Sequence, residues 1–384
     1  MAYQAMDLEE YLGSRGVDPA ALVDQVHAKI GLLPEDVLMA VGSLVEGLGT
    51  TKSDLDLVLI TSRPSEQQPP GGELAVVVGS LLADVRVLPA SEIADLVERV
   101  EEWNRSPWDV THATRYTTKE RLLLHRLIRG RRLAEGAGTG GIPWPRVEVL
   151  AKLKLQVARQ HARTVQVDMA GHRDVGDWRS LVFAAQDLLG AAVDALTAGY
   201  LLTNPYSKWR SRLLEAVPDE GWEEVLGVRP TSLSAGERVW RLHHIPPRPE
   251  REAALEHALA ISAFARAVFV WAERRLILTS APAAGARRPW TALEARLDEP
   301  RLPYLDFDVD YRLMGDEGFL GRLNEFGALV RLTPAEFALA LLFDGTTTLS
   351  EANAVFAGEV SEGEQRPAQA LVSRLAANSL LSPF

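Results

Sequence analysis

Gly42-Ser43-Leu44-Val45-Glu46-Gly47-Leu48-Gly49-Thr50-Thr51-Lys52-Ser53-Asp54-Leu55-Asp56 runs directly into the apolar stretch Leu57-Val58-Leu59-Ile60. Asp36-Val37-Leu38-Met39-Ala40-Val41 precedes it, so the whole reads as strand, small-residue turn, loop and buried second strand. Ten residues separate Ser43 from Asp54. Side chains at i and i+2 of a strand share a face. Asp54 and Asp56 are therefore expected to project together, with Leu55, Leu57 and Leu59 turned to the core. Two carboxylates held that close repel, and a shared divalent cation relieves the repulsion most simply. The Gly42-Ser43 turn offers backbone N–H groups and a hydroxyl to a phosphate oxygen.

A third acid lies in Ala83-Asp84-Val85-Arg86-Val87-Leu88, where Asp84 alternates with Val85 and Val87. If this strand pairs beside the one carrying Asp54 and Asp56, three carboxylates converge on one patch. Oxygen ligands favour magnesium or manganese over zinc, and the chain has no cysteine to compete.

A Gly-Ser pair, a ten-residue gap, Asp-x-Asp and a later strand aspartate resemble the polymerase-β-type nucleotidyltransferase superfamily. The closer likeness is to its minimal and aminoglycoside-type members, whose form is Gly-Ser…Ser-Asp-x-Asp, matched here by residues 42–43 and 53–56. The resemblance implies that Asp54, Asp56 and Asp84 are catalytic and hold Mg2+ or Mn2+. It also implies that Gly42 and Ser43 hold the outer phosphates of a nucleoside triphosphate, ATP by default, and that Ser53 orients the Asp-x-Asp turn. The implied reaction moves a nucleoside monophosphate to an acceptor hydroxyl and releases pyrophosphate. The alternative is a non-catalytic nucleotide- or peptide-binding protein on the same fold.

The 384 residues carry a net charge of -11, which does not favour an extended nucleic-acid surface. The acidic N-terminus lacks an apolar signal core, and the most apolar helical stretch, around Leu188–Leu202, is interrupted by Asp194 and read as too short for a bilayer. Together with the absence of cysteine this predicts a soluble, cytoplasmic protein without a membrane partner. No Gly-x-Ser-x-Gly elbow supports a hydrolase, and the eight histidines show no zinc spacing.

Asp18-Pro19 predicts a helix start, followed by strands at 36–41, 55–60, 73–78 and 83–88, with 61–72 an exposed connection and a helix running from Ser91 towards Trp103. Arg126, Arg129, Arg131 and Arg132 read as a solvated helix end or a phosphate guide. Glycine-rich 135–143 and proline- and alanine-rich 280–300 read as linkers. The expected organisation is α+β: a mixed-sheet nucleotidyltransferase domain at 1–135, a helical bundle at 142–280 and a small winged-helix-like domain at 300–384. In the bundle, Asn204-Pro205-Tyr206-Ser207-Lys208-Trp209 is similar to a Tyr…Lys-Trp segment of aminoglycoside-type enzymes. Lys208 is the first choice for a phosphate-facing cation, with Lys152 and Lys154 behind it.

Towards the C-terminus, 307–313 and 329–332 alternate as strands, and helices start at Thr333-Pro334-Ala335-Glu336, at Thr348 and at Ala368. This order resembles the peptide-recognition fold of the pyrroloquinoline quinone D type. The resemblance implies an extended peptide added to a sheet edge. The acceptor is accordingly either a small molecule or a peptide.

Overall fold

The structure is a computed structural model that describes residues 6–69, 72–107, 113, 115–135, 143–218, 234–245, 250–278, 300–314, 317–323, 329–356 and 367–382. The two segments read as linkers fall mostly outside these residues. The fold is mixed α/β and divides into two compact units. One comprises Met1–Leu150 with Thr203–Trp209, the other Ala151–Leu202 with Arg210–Phe384.

In the first unit, α1 (Leu8–Ser14) and α2 (Pro19–Ile30) precede a five-stranded mixed sheet. Asp18 caps α2 by accepting from the Ala20 N–H at 2.9 Å, and Pro19 occupies its first turn, where a missing N–H costs nothing. The strands are β1 (Val37–Val41), β2 (Leu55–Thr61), β3 (Glu73–Val78), β4 (Leu81–Pro89) and β5 (Arg131–Glu135), in the order β3-β4-β2-β1-β5. Only β2 and β4 run parallel; the remaining pairs are antiparallel. Leu55, Leu57, Leu59, Val85 and Val87 pack one face of the sheet against Leu22 and Val26 of α2. Helices α3 (Ala90–Asn104) and α4 (Thr118–Arg129) complete the unit, α4 opening on a capping box of Thr117 and Glu120. The 61–72 connection is largely open to solvent, as expected, with Ser62, Pro64, Glu66 and Gln67 exposed. Arg63 pairs with buried Asp36 at 3.0 Å and donates to the carbonyls of Ile30 and Gly31.

In the second unit, α5 (Val147–Val175, entering from the first unit), α6 (Trp178–Gly199) and α9 (Arg251–Glu273) are long, with α7 (Arg210–Glu215) and α8 (Ala235–Leu242) between α6 and α9. Helix α6 runs 22 residues, so it is not too short to span a bilayer. By length and composition both α6 and the helical run Arg251–Leu278 are apolar enough to cross a membrane, and both are mostly buried within their own unit.

A three-stranded antiparallel sheet of β6 (Val309–Met314), β7 (Glu317–Arg322) and β8 (Val330–Leu332) follows, then α10 (Pro334–Ala340), α11 (Leu349–Phe356) and α12 (Pro367–Ala377). The sequence reading sets 142–280 apart from 300–384, yet both lie in this unit and share one hydrophobic core. The physical reason is the polar face of α5. Arg159, only 3% exposed, pairs with Asp310 and with Glu273, Arg163 pairs with Asp310 at 3.0 Å, and Gln166 donates to the Phe307 carbonyl at 3.0 Å. Buried charges need such partners, and here Asp310 and the Phe307 carbonyl come from the C-terminal segment.

Candidate active site

The parallel pairing of β2 and β4 makes Asp56 the register partner of Asp84. Adjacent strands lie about 4.8 Å apart, and register partners of a parallel pair leave the sheet on the same side. Asp54, two residues before Asp56, stands at the head of the same strand. The opposite face takes Leu55, Leu57, Val85 and Val87, all buried, as alternation requires. Asp54 and Asp84 are exposed, whereas Asp56 is half-covered. Burial pushes the Asp56 carboxyl above the ordinary carboxylate range; Arg126 pulls it back, Asp54 and Asp84 push it further up, and Lys208 opposes them. Asp56 therefore feels the charge of both other acids, and two cations oppose them there.

Gly42 closes the site from the β1 side. Its φ is +85°, a left-handed conformation that side chains resist, and an added Cβ would stand 2.7 Å from Asp56 Oδ2. The turn thus passes directly over the carboxylate. Beyond it the loop coils: the Val45 and Glu46 N–H groups donate to the Gly42 carbonyl at 3.2 and 3.3 Å, and Leu48 N–H donates to the Ser43 carbonyl at 2.8 Å. Leu44, 1% exposed, anchors the coil in the core. Ser53 closes the tight turn before Asp54, its hydroxyl accepting from Thr50 N–H at 2.9 Å and its own N–H donating to the Thr50 carbonyl at 3.0 Å.

Arg126 of α4 reaches Asp56, Nη2 to Oδ2 at 3.4 Å. Lys208 arrives on Thr203–Trp209, the one stretch that interrupts the second unit's sequence to join the first. Its Nζ stands 5.5 Å from the Tyr206 ring and 5.0 Å from the Trp209 ring, contacts that steer an exposed cation. Lys152 and Lys154 belong to the second unit, where Lys154 is buried and donates to Thr197 Oγ1 at 2.8 Å and to the Leu202 carbonyl at 2.9 Å. Past Asp84 the same face continues as an apolar strip. Asp84 is paired with Ala75, and Leu82 with Val77, the latter two 55% and 61% exposed.

Among the described residues no three acidic or histidine side chains are drawn around one point at metal-ligating reach. The donor set nonetheless fits a hard divalent cation. It is all oxygen, Asp56 and Asp84 are register partners, and the repulsion that Asp54 and Asp84 exert at Asp56 is the kind that such a cation removes. Sequence reasoning did not single out Arg126 from its basic cluster, nor Glu46, His125 and Asn204, which adjoin the site. The signal for Arg126 was the cluster itself; its direction depends on how α4 packs. A scan against protein-family models finds no match to the chain, and a search of curated proteins finds none either.

Proposed function

We propose that the chain is a metal-dependent nucleotidyltransferase that moves a nucleoside monophosphate from a nucleoside triphosphate, ATP by default, to an acceptor hydroxyl and releases pyrophosphate. The observation that carries this reading is the Asp56–Asp84 register beneath the Gly42 turn. Asp54, Asp56 and Asp84 would hold Mg2+ or Mn2+, which when bound supplies charge neutralisation at the entering and leaving oxygens. Gly42 and Ser43 bind the outer phosphates through backbone N–H groups and a hydroxyl, and Ser53 fixes the approach of Asp54. Lys208 and Arg126 offset phosphate charge that the acids alone would repel. Asp84 takes the proton of the acceptor hydroxyl. The hydroxyl oxygen then bonds to the α-phosphorus as the bond from that phosphorus to the β-phosphate bridging oxygen breaks, and pyrophosphate leaves with the electron pair. The apolar strip of Ala75, Val77 and Leu82 beside Asp84 suits the hydrocarbon body of a small acceptor. The sheet and helices of 309–377 support the peptide alternative.

Incubation of the protein with each triphosphate, magnesium and a panel of small and peptide acceptors is expected to release pyrophosphate, and Asp56→Asn or Asp84→Asn is expected to abolish it. Release that survives both changes would sink the assignment. A silent nucleotide-binding protein is the second reading, favoured by the finding that no three acids among the described residues are drawn around one point. It predicts triphosphate binding with no pyrophosphate from any acceptor.

A further inference from the structure

We infer that Glu46, His125, Thr203 and Asn204 form a buried tie whose task is to position Lys208; the inference rests on the transferase reading. Glu46 belongs to the coil that Gly42 and Ser43 begin, yet its carboxylate turns inward, 11% exposed. An acid placed there is costly unless its oxygens are matched. They are matched from two directions. Asn204 Nδ2 lies 3.1 Å from each Glu46 oxygen. His125 Nε2 lies 3.0 Å from Glu46 Oε1, off the line of a formed hydrogen bond. The His125 ring, 2% exposed, is held at its other nitrogen by Thr203 Oγ1 at 3.0 Å.

The tie joins three stretches remote in sequence: the phosphate-side coil, α4 next to Arg126, and the segment that carries Lys208. Asn204 connects the last two functions within one side chain. Its Nδ2 grips Glu46, while its Oδ1 accepts the Tyr206 N–H at 3.0 Å and starts the turn that leads into Lys208. The Trp209 N–H then donates to the Tyr206 carbonyl at 3.1 Å, completing the short helical turn Ser207–Trp209. Glu46 and Asn204 therefore act through Lys208 and touch no reacting atom. Arg126 sits on the same helix as His125, so the tie also sets how far apart the two cations stand around Asp56.

The test is a thermodynamic cycle in the full-length chain, with Mg·ATP and the other three triphosphates as probes. Asn204→Ala is expected to raise KM for the triphosphate about tenfold with little change in kcat, as a lost charge-assisted hydrogen bond implies. Lys208→Ala is expected to do the same, and the double variant should be no worse than Lys208→Ala alone. Glu46→Gln, which keeps an amide acceptor for Asn204, should recover most of the affinity that Glu46→Ala loses. Amide exchange over 205–209 should quicken in Asn204→Ala while the β1 and β2 amides stay protected. Additive penalties in the double variant, or unchanged exchange at 205–209, overturn the positioning role. If the wild type binds none of the four triphosphates, the transferase reading falls and takes the positioning of Lys208 with it. The exchange data, which need no nucleotide, distinguish that failure from a failure of the tie itself.

Discussion

Asp56 and Asp84 are register partners on the parallel strand pair of their sheet, and the Asp56 carboxylate lies against the left-handed turn at Gly42. Such a pairing burdens the fold, because burial and the neighbouring acids both disfavour the charged form of Asp56. Asp56→Asn should therefore separate stability from function. Pyrophosphate release is expected to be abolished, while the melting temperature at neutral pH rises. A variant that loses both would point to a structural carboxylate.

The same group fixes a pH dependence. Asp56 has its folded pKa raised, so its contribution to stability is fully present below its unfolded pKa, ordinarily about 3.9, and is lost as pH rises through the folded value. The thermal advantage of Asp56→Asn should accordingly vanish in acid. Under the proposed transferase reading, activity has the opposite sign, since cation binding would need the carboxylate ionised. The acid limb of kcat/KM is expected above the ordinary aspartate range. Arg126→Gln should move that limb higher still, because Arg126 holds the carboxyl down. A limb that stays put in Arg126→Gln would show that a different group controls it.

Gly42→Ala tests the turn. The substitution puts a methyl carbon 2.7 Å from Asp56 Oδ2 and asks alanine to hold φ +85°. The backbone term costs about 1–3 kcal/mol, and relief of the clash must displace the carboxylate. The expected outcome is a modest loss of stability with a loss of about 10²-fold in kcat/KM, of the order that misplacing one catalytic group produces. Ordinary kinetics with lowered stability alone would mean that the turn only shapes the loop.

The parts of this site that were legible in the sequence are those whose pattern is local. Asp56 and Asp84 could be placed on one face because Leu55, Leu57, Val85 and Val87 alternate with them and are buried. The Thr333-Pro334-Ala335-Glu336 helix start was legible for the same reason, and it closes as a capping box. Strand β5 was not, because Arg131 and Arg132 give an edge strand the composition of a solvated helix end. Nor was β7, where Gly318 breaks the alternation so that the backbone can pass beneath the Phe337 ring. Asn204 and Glu46 carry no local pattern at all. Their pairing appears only once Thr203–Trp209 joins the first unit.

The second unit yields a prediction that does not involve the candidate site. Arg159 is buried between Asp310 and Glu273 and stacks over the Tyr311 and Phe269 rings at 4.1 and 5.3 Å. Burial alone would make Arg159 easier to deprotonate, but Asp310, Tyr311 and Glu273 hold its pKa above the ordinary value. Removing it leaves buried acids short of a partner, and breaking such a pair costs about 3–5 kcal/mol. Arg159→Met should therefore lower the unfolding free energy of the helical unit by that amount, with a matching fall in its denaturant midpoint. Asp310→Leu combined with Arg159→Met should cost less than the two single changes added together, since the charge left alone in each single variant is gone. Asp310 has its pKa depressed, chiefly by Arg159 and Arg163 acting against burial. Its stabilisation is thus present above the unfolded pKa and fades as pH falls through the folded value. In Arg159→Met that acid sensitivity should shrink, because the folded pKa of Asp310 moves back towards its unfolded value. Denaturant unfolding followed at two or three pH values checks both signs. Equal midpoints for the variant and the wild type would show that the network merely fills space.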